Sequence, residues 1–308
     1  MTRLRPLLPF FGLYTFLCGA PAHAEAIPAA CLTTHFARER VAAREVLLDG
    51  FSARLMETGA TLGIAEARIT DPTHHLTDAM LRDANTLGAL GALLLDDGRT
   101  PRSCDTPDAH AAMRSIVQAV VAGGAPELRW DRAVLVRGAH RTTIRSVILR
   151  FHPLPGAPAQ IGLAIEADGI ARSDGGLTPS SVSMSVDLPV RALSQADEGA
   201  KSVPLVAPGE TLTIHSLHAE YGSSQLDGQG FVRPGQSWQN SSGQLHLEIS
   251  GMHDLLNGLR GNSPSGVTTA LAVAQLMGHR DGDRTGWDVA LLDGVLSVNH
   301  IPLPLPLH

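Results

Sequence analysis

Ser181-Val182-Ser183-Met184-Ser185-Val186-Asp187-Leu188-Pro189-Val190 is the stretch that decides the fold. Val182, Met184, Val186, Leu188 and Val190 alternate with Ser, Asp and Pro. Successive side chains of an extended strand point to opposite faces, so the run reads as a half-buried β-strand with one apolar and one polar side. The same rhythm recurs on either side. Upstream, Leu128, Trp130, Val134 and Val136 share a face, as do Val147, Leu149 and Phe151, then Ile161, Leu163 and Ile165. Downstream come Leu212 and Ile214, after which the phase slips to Leu217, Ala219 and Tyr221, the mark of a β-bulge. Leu245, Leu247 and Ile249 follow, then Val289 with Leu291 and Leu296 with Val298. Strands this closely spaced pair most readily as an antiparallel meander.

Turn chemistry fits that picture. Asp49-Gly50 and Asp293-Gly294 sit between apolar runs and read as hairpin turns. Tyr221-Gly222-Ser223-Ser224 and Asp227-Gly228 punctuate the middle strands. Helical patterns interrupt the alternation. Leu76, Met80, Leu87, Leu90 and Leu94 form a stripe behind Thr77 as N-cap. Thr106 caps a second helix, with Pro107 in its first turn, a face of Met113, Ile116, Val117 and Val120, and Gly123-Gly124 as its stop. A short helix is expected from His253 to Arg260, and another from about Gly266 to Gly278. Ser194 to Pro208 is polar and rich in Pro and Gly, a loop.

The expected fold is α+β: a mainly antiparallel, curved β-sheet with several short helices packed on it. Residues 25–125 form an N-terminal β-hairpin and helical region, and 126–308 the antiparallel sheet region. Gly123 to Pro126 is the natural boundary, with a single continuous domain as the alternative.

The N-terminus reads as an export signal. Arg3 and Arg5 are followed by an apolar run from Leu7 to Leu17 and by Ala22-His23-Ala24, which predicts a signal peptide over 1–24 cleaved near Ala24. A retained anchor is the other reading, but Pro9 and Gly12 interrupt a run well short of the ~20 residues a spanning helix needs. The chain is therefore expected in the periplasm or secreted, and not integral to a membrane. A formal charge of −6 gives no electrostatic reason to bind nucleic acid. Lys201 is the only lysine, which leaves one candidate for Schiff-base chemistry. Aromatic residues are sparse, which disfavours a sugar-binding module. In an oxidising compartment Cys31 and Cys104 read as one disulfide, with two buried thiols as the alternative.

Catalytic and metal signatures are weak. Gly261-Asn262-Ser263-Pro264-Ser265-Gly266 does not fit G-x-S-x-G. Ser173-Asp174-Gly175-Gly176 has the composition of a turn. His74-His75 lies beside Asp71 and Asp78 without H-E-x-x-H spacing. Asp281-Gly282-Asp283 begins like a calcium loop but lacks the closing acidic position. His215, His218 and His246 fall on neighbouring strands. A regular strand puts His215 and His218 on opposite faces, and only the bulge would reunite them. No phosphate-binding glycine loop is present.

From Leu226 to Leu307 the order of elements is familiar. Leu226-Asp227-Gly228-Gln229-Gly230 precedes the strand Gly243 to Ile249, then the helix Met252-His253-Asp254-Leu255-Leu256, a further helix, and the hairpin Leu292 to Asn299 ending in Ile301-Pro302-Leu303. This order resembles a family of uncharacterised alphaproteobacterial periplasmic proteins, a domain of unknown function. It is similar, more distantly, to the C-terminal region of the AsmA-like envelope proteins. The resemblance implies a long curved antiparallel sheet and, in AsmA-like relatives, an open groove linked to lipid handling. It carries over no catalytic residue. This chain is shorter than AsmA-like proteins, and residues 25–125 match no part of them.

The expected function is a non-enzymatic envelope protein that uses no cofactor and binds no metal. Its apolar sheet face would meet a lipid or an envelope partner. The groove-lining candidates are Val182, Met184, Val186, Leu188, Leu212, Ile214, Leu245 and Leu247, which would otherwise be ordinary core. An interaction scaffold without ligand, or a secreted hydrolase with a dispersed site, are the alternatives.

Overall fold

The computed structural model describes residues 27–42, 44–97, 101–156, 160–174, 178–190, 209–259, 275–292 and 294–303. The expected signal peptide, the loop 194–208 and most of the helix expected over 266–278 lie outside them.

One antiparallel sheet runs through the described residues from end to end. It begins at β1 (Leu32–His35) and β2 (Arg38–Ala42), which pair end to end along one side of β3 (Glu45–Leu55). β4 (Thr61–Thr70), β5 (Glu127–Arg137), β6 (His140–Leu154), β7 (Gln160–Asp168) and β9 (Ser181–Pro189) follow in spatial order, with the short β8 (Ala171–Arg172) folded back on β6. The path continues through β10 (Leu212–Tyr221), β11 (Ser224–Arg233), β12 (Ser242–Ser250), β14 (Arg284–Leu292), β15 (Val295–Val298) and β16 (Ile301–Leu303). β13 (His279–Asp281) pairs with β14 alone. The sheet is mostly antiparallel, as the alternation predicts, and it is open and curved. β4 pairs with β5 across the boundary expected near 126, so the sheet does not break there.

The β4-to-β5 connection carries two helices, α1 (Asp78–Asp97) and α2 (Pro107–Val121). Thr77 Oγ1 accepts from the N–H of Met80 and Thr106 Oγ1 from that of Ala109, so both expected caps are in place. The buried side of α1 centres on Leu81, Ala84, Ala89, Leu90 and Leu93, while Met80, Leu87 and Leu94 flank it. The stripe read from the sequence was thus rotated from the real one. A run so rich in Leu and Ala gives a wide apolar arc whose centre only the facing sheet decides. Asn85 is fully buried and accepts from Trp130 Nε1 at 2.8 Å, while its Nδ2 has no partner. Cys31 and Cys104 are joined in the expected disulfide, which ties the segment before β1 to the turn before α2.

Asp49-Gly50 is not a hairpin turn. It lies inside β3, where Gly50 has φ +64°. Asp-Gly signals a left-handed backbone, and a kink within a strand uses that as well as a turn does. Across this kink the buried set changes parity, from Val46 and Leu48 to Phe51, Ala53 and Leu55. β4 changes with it, from Leu62 and Ile64 to Ala67 and Ile69. The register between the two strands does not slip, since Asp49 pairs with Glu66 and Phe51 with Ile64. β5 does the same around Arg132, which has φ +55°: Leu128 and Trp130 are buried before it and Ala133 after it. Val134 and Val136 therefore do not share the face of Leu128 and Trp130. The kinks lie level with one another and form a transverse crease under α1. Asp227-Gly228 also lies within a strand, β11, whereas Gly222 and Gly294 do sit in the expected hairpins.

Candidate functional site

Beyond the crease the sheet has two distinct faces. β9 fixes them, and the register carries them outward. Val186 pairs with Ile214, Ile214 with Gly230, and Gly230 with Leu245, which pairs in turn with Val289. All eight groove candidates therefore share the apolar face. Val186 and Leu188 are fully buried there, in a cluster with Ile161 of β7 and Val120 of α2. Met184, Leu212 and Ile214 are half-buried against that cluster. Leu247 is half-buried against a second cluster, where α3 (Met252–Leu259) places Met252, Leu255 and Leu256 on Ile249 and Trp287. Val182 and Leu245 are half-buried as well. The expected groove is thus closed by α2 at one end and bounded by α3 at the other, with half-exposed aliphatic side chains between.

The bulge in β10 is real: the register with β9 and with β11 shifts between Ile214 and Leu217. It brings His215 and His218 to the polar face. They do not gather with His246 into one cluster. Each is drawn to a carboxylate on a neighbouring strand. His215 Nε2 donates to Asp187 Oδ2 at 2.6 Å, and His218 Nδ1 to Asp227 Oδ1 at 2.7 Å. His246 donates from Nδ1 to Asp288 at 2.7 Å and from Nε2 to Glu248 at 3.3 Å. A carboxylate only accepts, so the second arrangement requires the doubly protonated imidazolium. The hydrogen bonds to Asp227 and to Asp288 hold His218 and His246 above the ordinary imidazole range. With both nitrogens engaged, His246 has none left to activate a nucleophile. Among the described residues no group of three or more His, Cys, Asp or Glu is placed to hold a metal ion.

The polar face also carries a trough of about 870 Å3 across β10, β11, β12, β14 and β15. Thr213, Gln229, Gln244 and Ser297 line it, with Phe231 between them, 38% exposed. Ile214, His215, Leu245 and His246, which also line it, were singled out in the sequence, but Thr213, Gln229, Phe231, Gln244 and Ser297 escaped that reading, because Gln, Thr and Ser at alternate positions look like any wet strand face. The partner of His218 was legible, since a two-residue turn at Gly222-Ser223 puts residue 218 opposite 227.

Toward the other end of the sheet a smaller trough of about 610 Å3 lies at the β5–β6 hairpin, lined by Arg137, His140, Thr142 and Arg172. There the polar face is a lattice of ion pairs, such as Arg150 with Glu127 at 2.8 Å and Glu166 at 2.6 Å. His74 and His75 sit in the turn before α1, where Asp71 accepts the N–H groups of His75 and Leu76. Among the described residues no helix is long and apolar enough to cross a membrane.

No family model matches the chain. No curated protein and no solved structure matches it either. The AsmA-like resemblance of 226–307 therefore rests on its element order alone.

Proposed function

We propose that this chain is a non-enzymatic protein of the bacterial envelope whose curved sheet holds a lipid or other apolar ligand on its aliphatic face. The observation that carries the reading is the row of half-exposed aliphatic side chains between α2 and α3: Val182, Met184, Leu212, Ile214, Leu245 and Leu247. A row of aliphatic side chains left partly exposed in this way suits a surface that meets an apolar ligand. The export signal read at 1–24 and the disulfide fit an oxidising compartment. The AsmA-like element order supplies the ligand class.

One observation favours the scaffold reading instead. Val186 and Leu188, two of the eight candidates, are ordinary core beneath Val120. If the whole face is core, the sheet binds partners by its surface and holds no ligand. Native mass spectrometry of the chain recovered from the periplasm of its own cells, followed by solvent extraction, separates the two. A bound apolar mass that Ile214→Asp strips away, with circular dichroism unchanged, supports the lipid reading. A bare chain favours the scaffold.

A further inference from the structure

We propose that the polar trough on the opposite face of the sheet is a binding site for a neutral saccharide. The site opens on the face opposite the aliphatic row, with Ile214 and Leu245 bordering both, and the proposal does not require that row to hold lipid.

The chemistry of the walls selects the ligand. Phe231 is an exposed aromatic ring on an otherwise polar face. Its cross-strand neighbours are Thr213 on one side and Gln244 on the other. The site thus sets a flat apolar surface within a ring of hydroxyl and amide groups. A pyranose has the complementary pattern, a C–H face rimmed by hydroxyls that donate and accept. Amide side chains do both, so Gln229 and Gln244 suit such a rim. An apolar ligand would bury these amides without partners, which is costly. Asp288 in the wall is already engaged by His246, and Asp187 just outside it by His215. A carboxylate in the wall repels an anion, and the imidazole beside it leaves little field for a cation. The trough is also within the size range of small-molecule sites, roughly 300–1,000 Å3.

The rim is a tight hairpin turn. Asn299 and His300 join β15 to β16 with φ +48° and +67°, the positive values that a two-residue type I′ turn requires. Asn299 fixes it. Its Oδ1 accepts from the N–H of Asp288 at 2.7 Å, its Nδ2 donates to the carbonyl of Met277 at 2.6 Å, and its own N–H donates to the carbonyl of Asp288 at 2.8 Å. The result pins the turn beside the trough and sets His300 on its edge.

The test is calorimetric titration of the full chain with neutral trisaccharides of glucose and of N-acetylglucosamine, free and displayed on vesicles as glycolipids. The expected result is binding in at least one arm, weakened about tenfold by Phe231→Ala, in line with the loss of one aromatic contact. Gln244→Ala weakens it too, and Leu292→Ala, outside the trough, does not. Circular dichroism confirms that each variant is folded. Binding only to the vesicles identifies a membrane-borne sugar and binding to both a free one. No binding of any sugar at millimolar concentration, or binding indifferent to Phe231, overturns the proposal.

Discussion

The Asp71 carboxylate accepts a hydrogen bond at 3.2 Å from the backbone N–H of Ala125, a residue 54 positions further along the chain. It also accepts from Thr73 N–H and Oγ1 and from the N–H groups of His75 and Leu76. One buried side chain, 1% exposed, thereby joins the end of β4, the entry to α1 and the approach to β5. Burial alone would raise its carboxyl, but the hydrogen bonds from Thr73, Leu76 and Ala125 outweigh burial and hold it below the ordinary range. Asp71→Ala leaves several donors unpaired at about 1–3 kcal/mol each, so a loss of several kcal/mol is expected in urea denaturation at pH 7. A depressed carboxyl contributes stability above its unfolded value near ~3.9 and loses it as pH falls through the folded value. The wild type should therefore lose stability on acidification more steeply than Asp71→Asn.

The His218–Asp227 pair titrates in the opposite sense. The raised imidazole adds stability that is complete below its unfolded value near ~6.5 and fades as pH rises through the folded one. Proton NMR should show His218 titrating above that reference, and Asp227→Asn should bring it back. A His218 value unmoved by that change would mean that the pair does not form in solution.

Trp130 and Asn85 form a buried pair with one end unsatisfied. Trp130→Phe strands the second polar atom of Asn85 and should cost about 2–3 kcal/mol, part desolvation and part lost packing. Adding Asn85→Leu should recover some of it, because removing both partners is cheaper than removing one. A double-mutant cycle by chemical denaturation measures the coupling, and a value near zero would deny the bond any role.

The Cys31–Cys104 bridge closes a span of 73 residues around β1 to α1. In the chain-entropy picture, cross-linking such a loop is worth roughly 4 kcal/mol. Reduction, or Cys31→Ser with Cys104→Ser, should lower stability by that order in scanning calorimetry. The wild type in reductant should match the double variant.

Much of this architecture is visible in the residues themselves. The alternation from Ser181 to Val190, the Thr106–Pro107 helix start and the slip after Ile214 each have a local physical cause, and each survives in the folded chain. Misreadings came where a local signal serves two purposes. Asp49-Gly50 calls for a left-handed backbone, which a turn and a kink both supply. The arc of α1 depends on which strands lie beneath it. Pairs such as His246 with Asp288 depend on β12 meeting β14 after a long excursion through α3 and β13, and no short-range pattern encodes that register. The same holds for Phe231, whose meaning comes from what two other strands place beside it.

The crease through Gly50 and Arg132 has a consequence for how this sequence can drift. Deleting one residue from β3 at that level would bring Val46 and Leu48 into strict alternation with Phe51, Ala53 and Leu55, but it would shift half of the strand by one residue against β4, which keeps its own change of phase. No single insertion or deletion there is neutral, because neighbours at the same height must accept a matching change. Descendants of this chain should therefore preserve strand length at the crease far more faithfully than residue identity. Aligned relatives should show gaps in the loops and almost none along that line.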